Sequence, residues 1–246
     1  MKSTDTRSPG KLAGKTAIIT GANRGIGLAI AQAMATEGCS VLLSARNAAK
    51  LKSAAAAIEG GRVLTQGCDV RDPKSVAGLF AVAKREFGTL HILINNAGIA
   101  QPLLSADELS VEQWNDVIAT NLTGMFLCTR AALPLMKAGG TIVNNLSIAA
   151  VTSFPKFSAY DASKHGALGF TNSLREELRE RKIRVIALIP GATDTEIWDQ
   201  FMPEADRNTM MTAQSVAATL LNALTLPEGT VVEEVRMLPV VGTSRH

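Results

Sequence analysis

Residues 20–27 read Thr-Gly-Ala-Asn-Arg-Gly-Ile-Gly and lie directly after a short apolar run, Thr16–Thr20. A segment with helical periodicity, residues 25–37, follows, so the glycines fall at a turn from a strand into a helix. Glycine permits a tight turn there and lets the main chain approach a diphosphate, whose charge is favoured at the start of a helix. The stretch predicts a dinucleotide site, although glycines in such turns also occur for steric reasons alone.

Short apolar runs alternate with longer helical segments along the rest of the chain. The predicted strands are residues 16–20, 40–44, 63–66, 90–95, 141–145, 184–189 and 235–240. The predicted helices are residues 25–37, 48–59, 73–87, 111–118, 122–136, 158–181 and 215–224. Crossovers of this length join parallel strands. The pattern predicts an α/β fold of the Rossmann-like, doubly wound type, with a mostly parallel seven-stranded sheet and helices on both faces.

The composition suits one domain. The chain has 246 residues, of which 46% are apolar and 19% charged, so it can bury a substantial core. We expect a flexible tail over residues 1–11 and a single domain over residues 12–246. The net charge of +3 is scattered along the chain, which predicts no nucleic-acid partner.

The start of the chain is polar, and no apolar run is long enough to cross a bilayer, so we expect a cytoplasmic protein without a membrane partner. Cysteines and histidines form no CxxC pair and no cluster with metal-ligand spacing, so no metal site is expected. They are Cys39, Cys68, Cys128, His91, His165 and His246.

The end of the second predicted strand bears on the choice of cofactor. An acidic residue there would bind the ribose hydroxyls of NAD and repel a 2′-phosphate. This chain has Ala45 at that place, followed by Arg46, and Arg24 lies within the glycine turn. Each arginine alone is explained as a solvated surface residue. Two guanidinium groups and no acid favour NADP(H) over NAD(H), by at least about tenfold in affinity, roughly 1.4 kcal/mol.

Tyr160 and Lys164 lie one helical turn apart in the sequence Tyr-Asp-Ala-Ser-Lys. A phenol has an ordinary pKa of about 10, and a nearby ammonium group is expected to lower it. Tyr160 would then exchange a proton with a carbonyl or alcohol oxygen. In isolation, such a pair is usually a surface pair, so the assignment depends on the other motifs.

Six motifs occur in order along the chain: TGANRGIG (20–27), CDV (68–70), NNAG (95–98), Asn121, Ser147 with YDASK (160–164), and PGATDT (190–195). Together they resemble those of the short-chain dehydrogenase/reductase family, from about Gly14 to the last strand. The resemblance implies four catalytic residues, Asn121, Ser147, Tyr160 and Lys164. Tyr160 would be the general acid/base, Ser147 would bind the substrate oxygen, and Asn121 would anchor a water that links Lys164 to solvent.

The resemblance also implies a set of residues that bind NADP(H). They are Gly21, Asn23, Arg24, Gly25, Ile26, Gly27, Arg46, Asp69, Val70, Asn96, Ala97, Gly98, Tyr160, Lys164, Pro190, Gly191, Thr193 and Thr195. Asp69 would bind the adenine ring, although for this aspartate taken alone a helix cap ahead of Pro73 is the more common role. The chain departs from the family pattern at Leu146, Ala150 and Thr193.

These observations predict an oxidoreductase that transfers a hydride between NADP(H) and a carbonyl or alcohol substrate. Alternatives are a 3-oxoacyl-thioester reductase, an epimerase or dehydratase of the same fold, and a non-catalytic NADP(H)-sensing protein. Residues 101–104, 149–157 and a loop at about 192–212 are expected to select the substrate. If Phe154, Phe157 and the apolar residues Ile197, Trp198, Phe201 and Met202 line the pocket, a mainly apolar ketone is favoured. By analogy with the family, helices 122–136 and 158–181 would form a homodimer or homotetramer.

Overall fold

Nine β-strands form one large and one small parallel sheet in the computed structural model, which describes residues 10–227 and 229–242. The strands are β1 Thr16–Thr20, β2 Ser40–Ala45, β3 Val63–Gly67, β4 Leu90–Asn95, β5 Met136–Asn145, β6 Arg184–Pro190, β7 Thr193–Asp194, β8 Met211–Thr212 and β9 Glu234–Met237. The large sheet has the order β3-β2-β1-β4-β5-β6-β9, and all its neighbours are parallel. Strands β7 and β8 pair separately.

Seven α-helices cover the large sheet. They are α1 Gly25–Thr36, α2 Ala48–Ala56, α3 Pro73–Phe87, α4 Val111–Ile118, α5 Gly124–Ala132, α6 Ser158–Leu178 and α7 Ala213–Leu224. Several begin at a side chain that accepts hydrogen bonds from the first free N–H groups. Asn47 caps α2, Asp72 caps α3, and Ser110 caps α4 in a capping box with Gln113.

Both faces of the sheet are buried. Adjacent residues of β1 point to opposite faces, and Ile18 and Ile19 are both 0% exposed. Ile19 packs in a cluster with residues of α1 and α7, whereas Ile18 packs in a second cluster with residues of α3, α5 and α6. The strands are continuous apolar runs for this reason, and the predicted doubly wound α/β fold is confirmed.

The sequence-based boundaries are wrong around residues 119–141. The predicted helix 122–136 ends at Ala132, and a π-helical segment, Ala119–Thr123, joins α4 to α5 in one continuous helical run. Pro134 then lies in a 3-10 turn, and β5 begins at Met136 rather than at residue 141. The early part of β5 is irregular, with Gly139 at φ 84°, and such a strand has no clear alternation for a sequence pattern to detect.

Smaller differences between predicted and observed boundaries lie at the ends of other helices and strands. Helix α6 stops at Leu178, three residues before the predicted end, because Lys182 takes a left-handed conformation with φ 52° and the N–H of Ile183 donates to Leu178 O. Strand β9 covers 234–237 instead of 235–240, and the predicted substrate loop, residues 192–212, contains β7 and β8.

The first nine residues of the predicted tail lie outside the described residues. At residue 11 the chain is already attached to the end of α1, since Lys11 N donates to Glu37 Oε2 at 2.8 Å. Within residues 10–227 and 229–242, no helix combines the length and the apolar character that a membrane span requires.

Candidate active site

A cleft of about 1100 Å³ opens at the carboxyl ends of the parallel strands. Ligands of doubly wound sheets bind at this edge. Ser147, Tyr160 and Lys164 line the cleft, as do all the predicted cofactor residues except Gly27. Gly27 and Asn121 lie behind its wall. The structure thus brings together segments that are far apart in the chain.

The glycine turn after β1 adopts conformations that side chains rarely permit. Gly21 and Gly25 have φ 64° and 55°. A Cβ on Gly21 would lie 2.8 Å from Ala97 Cα, and one on Gly27 would lie 2.7 Å from Gly21 O. Gly27 therefore serves close packing beneath the turn, while Gly21 and Gly25 leave its main chain open to the cleft.

Asn96 holds the glycine turn in place from the neighbouring strand. Its Nδ2 donates to Thr20 O at 2.9 Å and to Gly21 O at 3.1 Å, and its Oδ1 accepts from Asn145 Nδ2 at 2.8 Å. Thr20 Oγ1 accepts from the N–H groups of Asn96 and Ala97, each at 3.0 Å. The NNAG segment thus fixes the shape of the turn, and the Asn96 side chain itself is fully used within the protein.

One end of the cleft carries three cations, Arg24, Arg46 and Lys50, all of them exposed. Ala45 ends β2 beside them, so no carboxylate stands at this place. Among the described residues, none of the three forms a salt bridge. Lys50 was not predicted from the sequence, although it lies three residues beyond a recognisable helix cap, Asn47, whose Oδ1 accepts from Lys50 N.

Asp69 lies in the same part of the cleft and is paired within the chain. The guanidinium group of Arg71 donates to both carboxylate oxygens, with Nη2 to Oδ2 at 2.7 Å, and also reaches Asp116 Oδ1 at 2.9 Å. The hydrogen bond from Arg71 holds the pKa of Asp69 below its usual range, against the opposing effect of burial. The helix-cap explanation for Asp69 is wrong, because Asp72 caps α3.

Tyr160 and Lys164 project from the first turns of α6 into the other end of the cleft. Lys164 Nζ lies 5.4 Å from the centre of the Tyr160 ring and donates to Asn145 O at 3.1 Å. Lys164 is only 5% exposed. A Cβ on Gly98 would lie 3.8 Å from Lys164 Nζ, an ordinary contact distance, so the ammonium group lies directly beside this part of the main chain.

Burial drives both groups towards their neutral forms. It raises the pKa of Tyr160 to about 12, an effect that a hydrogen bond with Ser147 reduces and the charge of Asp161 increases. It lowers the pKa of Lys164 to about 8. For the protein groups alone, burial raises the pKa of Tyr160 instead of the expected lowering, and the hydrogen bond with Ser147 offsets only part of the rise. At neutral pH the phenol is protonated and poised to donate.

Asn121 lies in the π-helical segment and is 1% exposed. Its Oδ1 accepts from Ile99 N, and its Nδ2 donates to Ile99 O, both at 2.9 Å, and to Ser163 Oγ at 3.0 Å. Both amide protons are thus used within the protein. The side chain joins α6 to the loop after β4, and a water linked to Lys164 would have to be held by another group of this residue, such as its main-chain carbonyl.

Ser147 follows β5 and begins a 3-10 turn, Ile148–Ala150, in which its Oγ accepts from Ala149 N at 3.2 Å. The hydroxyl faces Tyr160, which fits the predicted role. The residues that depart from the family pattern, Leu146 and Ala150, are 3% and 1% exposed and pack in one cluster, so they act through the shape of the wall.

Aromatic residues continue from Tyr160 along the cleft. Ring centroids of Tyr160 and Phe157, Phe157 and Phe201, and Phe201 and Trp198 lie 4.7, 5.0 and 4.8 Å apart. The cleft wall at this end contains every aromatic and apolar residue that the sequence analysis placed in the pocket. The lining includes Leu103, Phe154, Phe157, Ile197, Trp198, Phe201, Met202 and Met210. Glu196 also lines the cleft, whereas Asp199 does not and is paired with Arg207.

Arg207 holds the 192–212 segment together. Its Nη1 donates to Asp194 Oδ1 at 3.1 Å and to Thr195 O at 2.9 Å, and its Nη2 donates to Asp199 Oδ1 at 2.7 Å. These bonds complement the pairing of β7 with β8. No sequence motif pointed to this residue, since its partners are scattered over a segment with weak periodicity.

The prediction that Gln101 helps to select the substrate is wrong. This residue is 1% exposed and does not line the cleft; its amide is directed at the start of α6 instead. Leu103, from the same predicted stretch, does line the cleft.

In the part of the chain that the structure covers, no group of His, Cys, Asp and Glu side chains has the arrangement of a metal site.

Comparison with known proteins identifies the family of the chain. The family model "short chain dehydrogenase" matches residues 15–206. The 3beta-hydroxysteroid dehydrogenase of Mediterraneibacter gnavus is 36% identical over 205 residues, which cover 82% of this chain and 74% of that protein. An alcohol dehydrogenase from Thermococcus sibiricus, complexed with 5-hydroxy-NADP, has a TM-score of 0.87 at 28% identity, covering 94% of this chain and 99% of that one.

A second solved structure is the 3-ketoacyl-(acyl-carrier-protein) reductase from Brucella melitensis complexed with NADH. It has a TM-score of 0.83 at 28% identity and covers 92% of this chain and 96% of its own. The similar proteins thus differ in substrate and in nicotinamide cofactor. Family model, relatives and solved structures agree on the fold and the family, and the chain belongs to the short-chain dehydrogenase/reductase family of oxidoreductases.

Proposed function

We propose that this protein is an NADP(H)-dependent carbonyl reductase or alcohol dehydrogenase for an apolar substrate, with Tyr160 as its general acid/base. The observation that carries the proposal is the position of Tyr160, Lys164 and Ser147 around one end of a cleft whose other end is the glycine turn. A dinucleotide bound along this cleft would bring its reactive ring to the phenol, and proximity of this kind is a large part of catalysis.

The residues present fit such a cofactor. Gly21 and Gly25 have positive φ values, 64° and 55°, and a Cβ on Gly21 would lie 2.8 Å from Ala97 Cα, so the shape of this turn, which a diphosphate would approach, favours glycine at both positions. The N-terminus of α1 follows directly, and it favours negative charge. Lys164 and Tyr160 lie at the opposite end, where they would hold the nicotinamide ribose.

A bound reduced nicotinamide would supply the hydride that is added to the carbonyl carbon. Tyr160 Oη would donate its proton to the carbonyl oxygen, while Ser147 Oγ donates a hydrogen bond to the same oxygen. The phenolate that results would be stabilised by Lys164, whose ammonium group lies 5.4 Å from the ring centre, and reprotonated from solvent. Carbonyl, hydride and proton together give the alcohol, and the reverse sequence oxidises it.

The preference for NADP(H) is supported by Arg24, Arg46 and Lys50 at the phosphate end. A 2′-phosphate would meet three cations and no carboxylate at the end of β2. Guanidinium groups bind phosphate oxygens in pairs through fork-like hydrogen bonds. The similar solved structures include complexes with NADP and with NADH, so the proposed preference for NADP(H) rests on these three cations.

An apolar substrate is supported by the wall beside Tyr160. Four aromatic rings follow one another there, and the charged lining residue nearest to them in the chain, Glu196, disfavours an anion. The similar 3beta-hydroxysteroid dehydrogenase and 3-ketoacyl reductase mark two substrate classes to compare, a large apolar ketone and an acyl thioester.

The proposal includes assembly into a homodimer or homotetramer through the outer helices. Support comes from apolar side chains that α4 and α5 leave exposed, with Val111, Trp114 and Phe126 at 69, 39 and 43% exposure. Analytical ultracentrifugation tests it, and a monomer at micromolar concentration would refute it.

The decisive experiment has two parts. NADPH and NADH are first titrated by fluorescence, and we expect NADPH to bind at least about tenfold more tightly. Oxidation of the preferred cofactor is then followed with bulky ketones, small polar ketones and 3-oxoacyl thioesters. Turnover of bulky ketones supports the proposal, and preference for the thioesters supports the acyl reductase. Tight NADPH binding without turnover of any substrate would favour a sensing protein instead.

A further inference from the structure

Gln101 lies in the loop after β4, well outside the cleft lining, yet its side chain is 1% exposed. Its Oε1 accepts from Ala159 N at 2.7 Å and from Tyr160 N at 2.9 Å. Its Nε2 donates to Lys156 O at 3.2 Å. Every one of these bonds is to the segment that leads into α6, more than fifty residues away along the chain.

Helix α6 has no local side-chain cap. Phe157 precedes its first residue and carries no capping group, so the first N–H groups of the helix need a partner from elsewhere. Lys156, just before it, adopts a left-handed conformation with φ 63°. One buried amide therefore caps the helix and also holds the strained residue that leads into it.

The main chain of Tyr160 is held at both of its polar atoms. Its N–H donates to Gln101, while its carbonyl accepts from Ser163 Oγ at 2.7 Å. Ser163 accepts in turn from Asn121 Nδ2, and Asn121 pairs with both polar main-chain atoms of Ile99. The loop that contains Ile99 and Gln101 thus contacts Tyr160 through two independent routes.

We propose that Gln101 is a positioning residue for Tyr160: its amide replaces the missing cap of α6 and sets the place of the phenol relative to Ser147 and Lys164. The proposal rests on the proposed function for its catalytic consequence. Its structural consequence is independent of that function, because the burial of the phenol depends on where the first turn of α6 begins.

Two substitutions separate the roles of the amide. Gln101→Met has nearly the same volume and removes the acceptor, whereas Gln101→Glu retains an acceptor oxygen. Gln113→Met is the matched control, since Gln113 caps another helix, α4, through Ser110 N. Should Gln101→Met fail to fold, Gln101→Asn takes its place, because its amide is one carbon too short to reach α6.

Ionisation of the phenol is measured directly by tyrosinate absorbance, because Tyr160 is the only tyrosine in the chain. Folding is followed by circular dichroism over the same pH range. In Gln101→Met we expect the pKa of Tyr160 to fall by at least about half a unit, since a loosened first turn admits water to the phenol. Gln101→Glu and the Gln113 control should show no fall.

Turnover of the best ketone gives the second readout. We expect kcat of Gln101→Met to fall by about tenfold, with the Kd for NADPH changed less than about twofold, and Gln101→Glu to recover most of the loss. A folded Gln101→Met with the phenol pKa and kcat of the wild type would overturn the proposal. If no substrate is turned over, the proposed function fails, and the phenol titration still decides the role of Gln101.

Discussion

The ionisable side chains at the two ends of the cleft lie in opposite environments. At what we call the catalytic end, Lys164 and Asn121 are buried, Tyr160 is half-buried, and their surroundings are joined by hydrogen bonds. At the phosphate end, Arg24, Arg46 and Lys50 are exposed and free of salt bridges within the described chain. A proton donor needs a fixed position and a defined protonation state, which burial provides. Cations that attract a phosphate act through water at little cost to stability.

The largest effect should follow from removing the proton donor. We expect Tyr160→Phe to lower kcat by about a thousandfold or more, roughly 4 kcal/mol, because no other group described at this end is placed to protonate the substrate oxygen. The Kd for NADPH should change less than about threefold. Steady-state kinetics and a fluorescence titration measure the two quantities, and a variant with wild-type turnover would show that Tyr160 is not the acid.

The second-largest effect is on stability, and here the substitution is expected to be a gain rather than a loss. Burial lowers the pKa of Lys164 from 10.5 to about 8, so the unfolded chain binds more protons than the folded one between these values. Wild-type stability should therefore rise with pH from about 8 to 10.5, and Lys164 destabilises the fold below that range. Lys164→Met should raise the free energy of unfolding at pH 7 by about 1–2 kcal/mol while abolishing turnover.

Urea denaturation without cofactor at pH 7 and pH 10 measures this difference, which should shrink at the higher pH. Lys50→Met is the control from the phosphate end, and its effect should stay within about 0.5 kcal/mol because the side chain is exposed. If Lys164→Met and Lys50→Met changed the free energy of unfolding by the same amount, the buried and the exposed end of the cleft would not differ in their effect on stability.

The smallest effect should come from a substitution at the phosphate end, and it should change only the binding of the cofactor. Arg46→Asp places a carboxylate where a 2′-phosphate is expected, and we predict that the ratio of NADPH to NADH affinity falls by about tenfold or more. Lys52→Asp, on helix α2 six residues after Arg46 but outside the cleft lining, should leave the ratio unchanged. The proposed preference would be refuted by an Arg46→Asp protein that binds both cofactors as the wild type does.

Motifs located the reacting groups because their chemistry and spacing are local. Tyr160 and Lys164 share a helix turn, and the glycine turn follows β1 directly, so the sequence pattern already indicated both. Gln101, Lys50 and Arg207 were missed or misassigned, since their roles depend on residues brought near by the fold. Gln101 looked like a pocket residue simply because its neighbours in the chain are.

The π-helical segment at Ala119–Thr123 shows the same limit for local structure. Its sequence differs little from ordinary helix, and the irregularity is accompanied by the contacts of Asn121 with Ile99 and Ser163. The early start of β5 likewise depends on the pairing of Met136 with Leu90 of β4, which local sequence propensity does not indicate.

The amino-acid sequence by itself determined the doubly wound fold, the edge of the sheet at which the cleft opens, and the candidate groups for the proposed acid–base chemistry. Periodic burial and short motifs suffice for these, because both are properties of neighbouring residues. Only the tertiary structure decided which side chains hold Tyr160 in place and in which direction its pKa moves. Hydrogen-bond partners and desolvation arise from contacts between distant segments, and these exist only once the chain has folded.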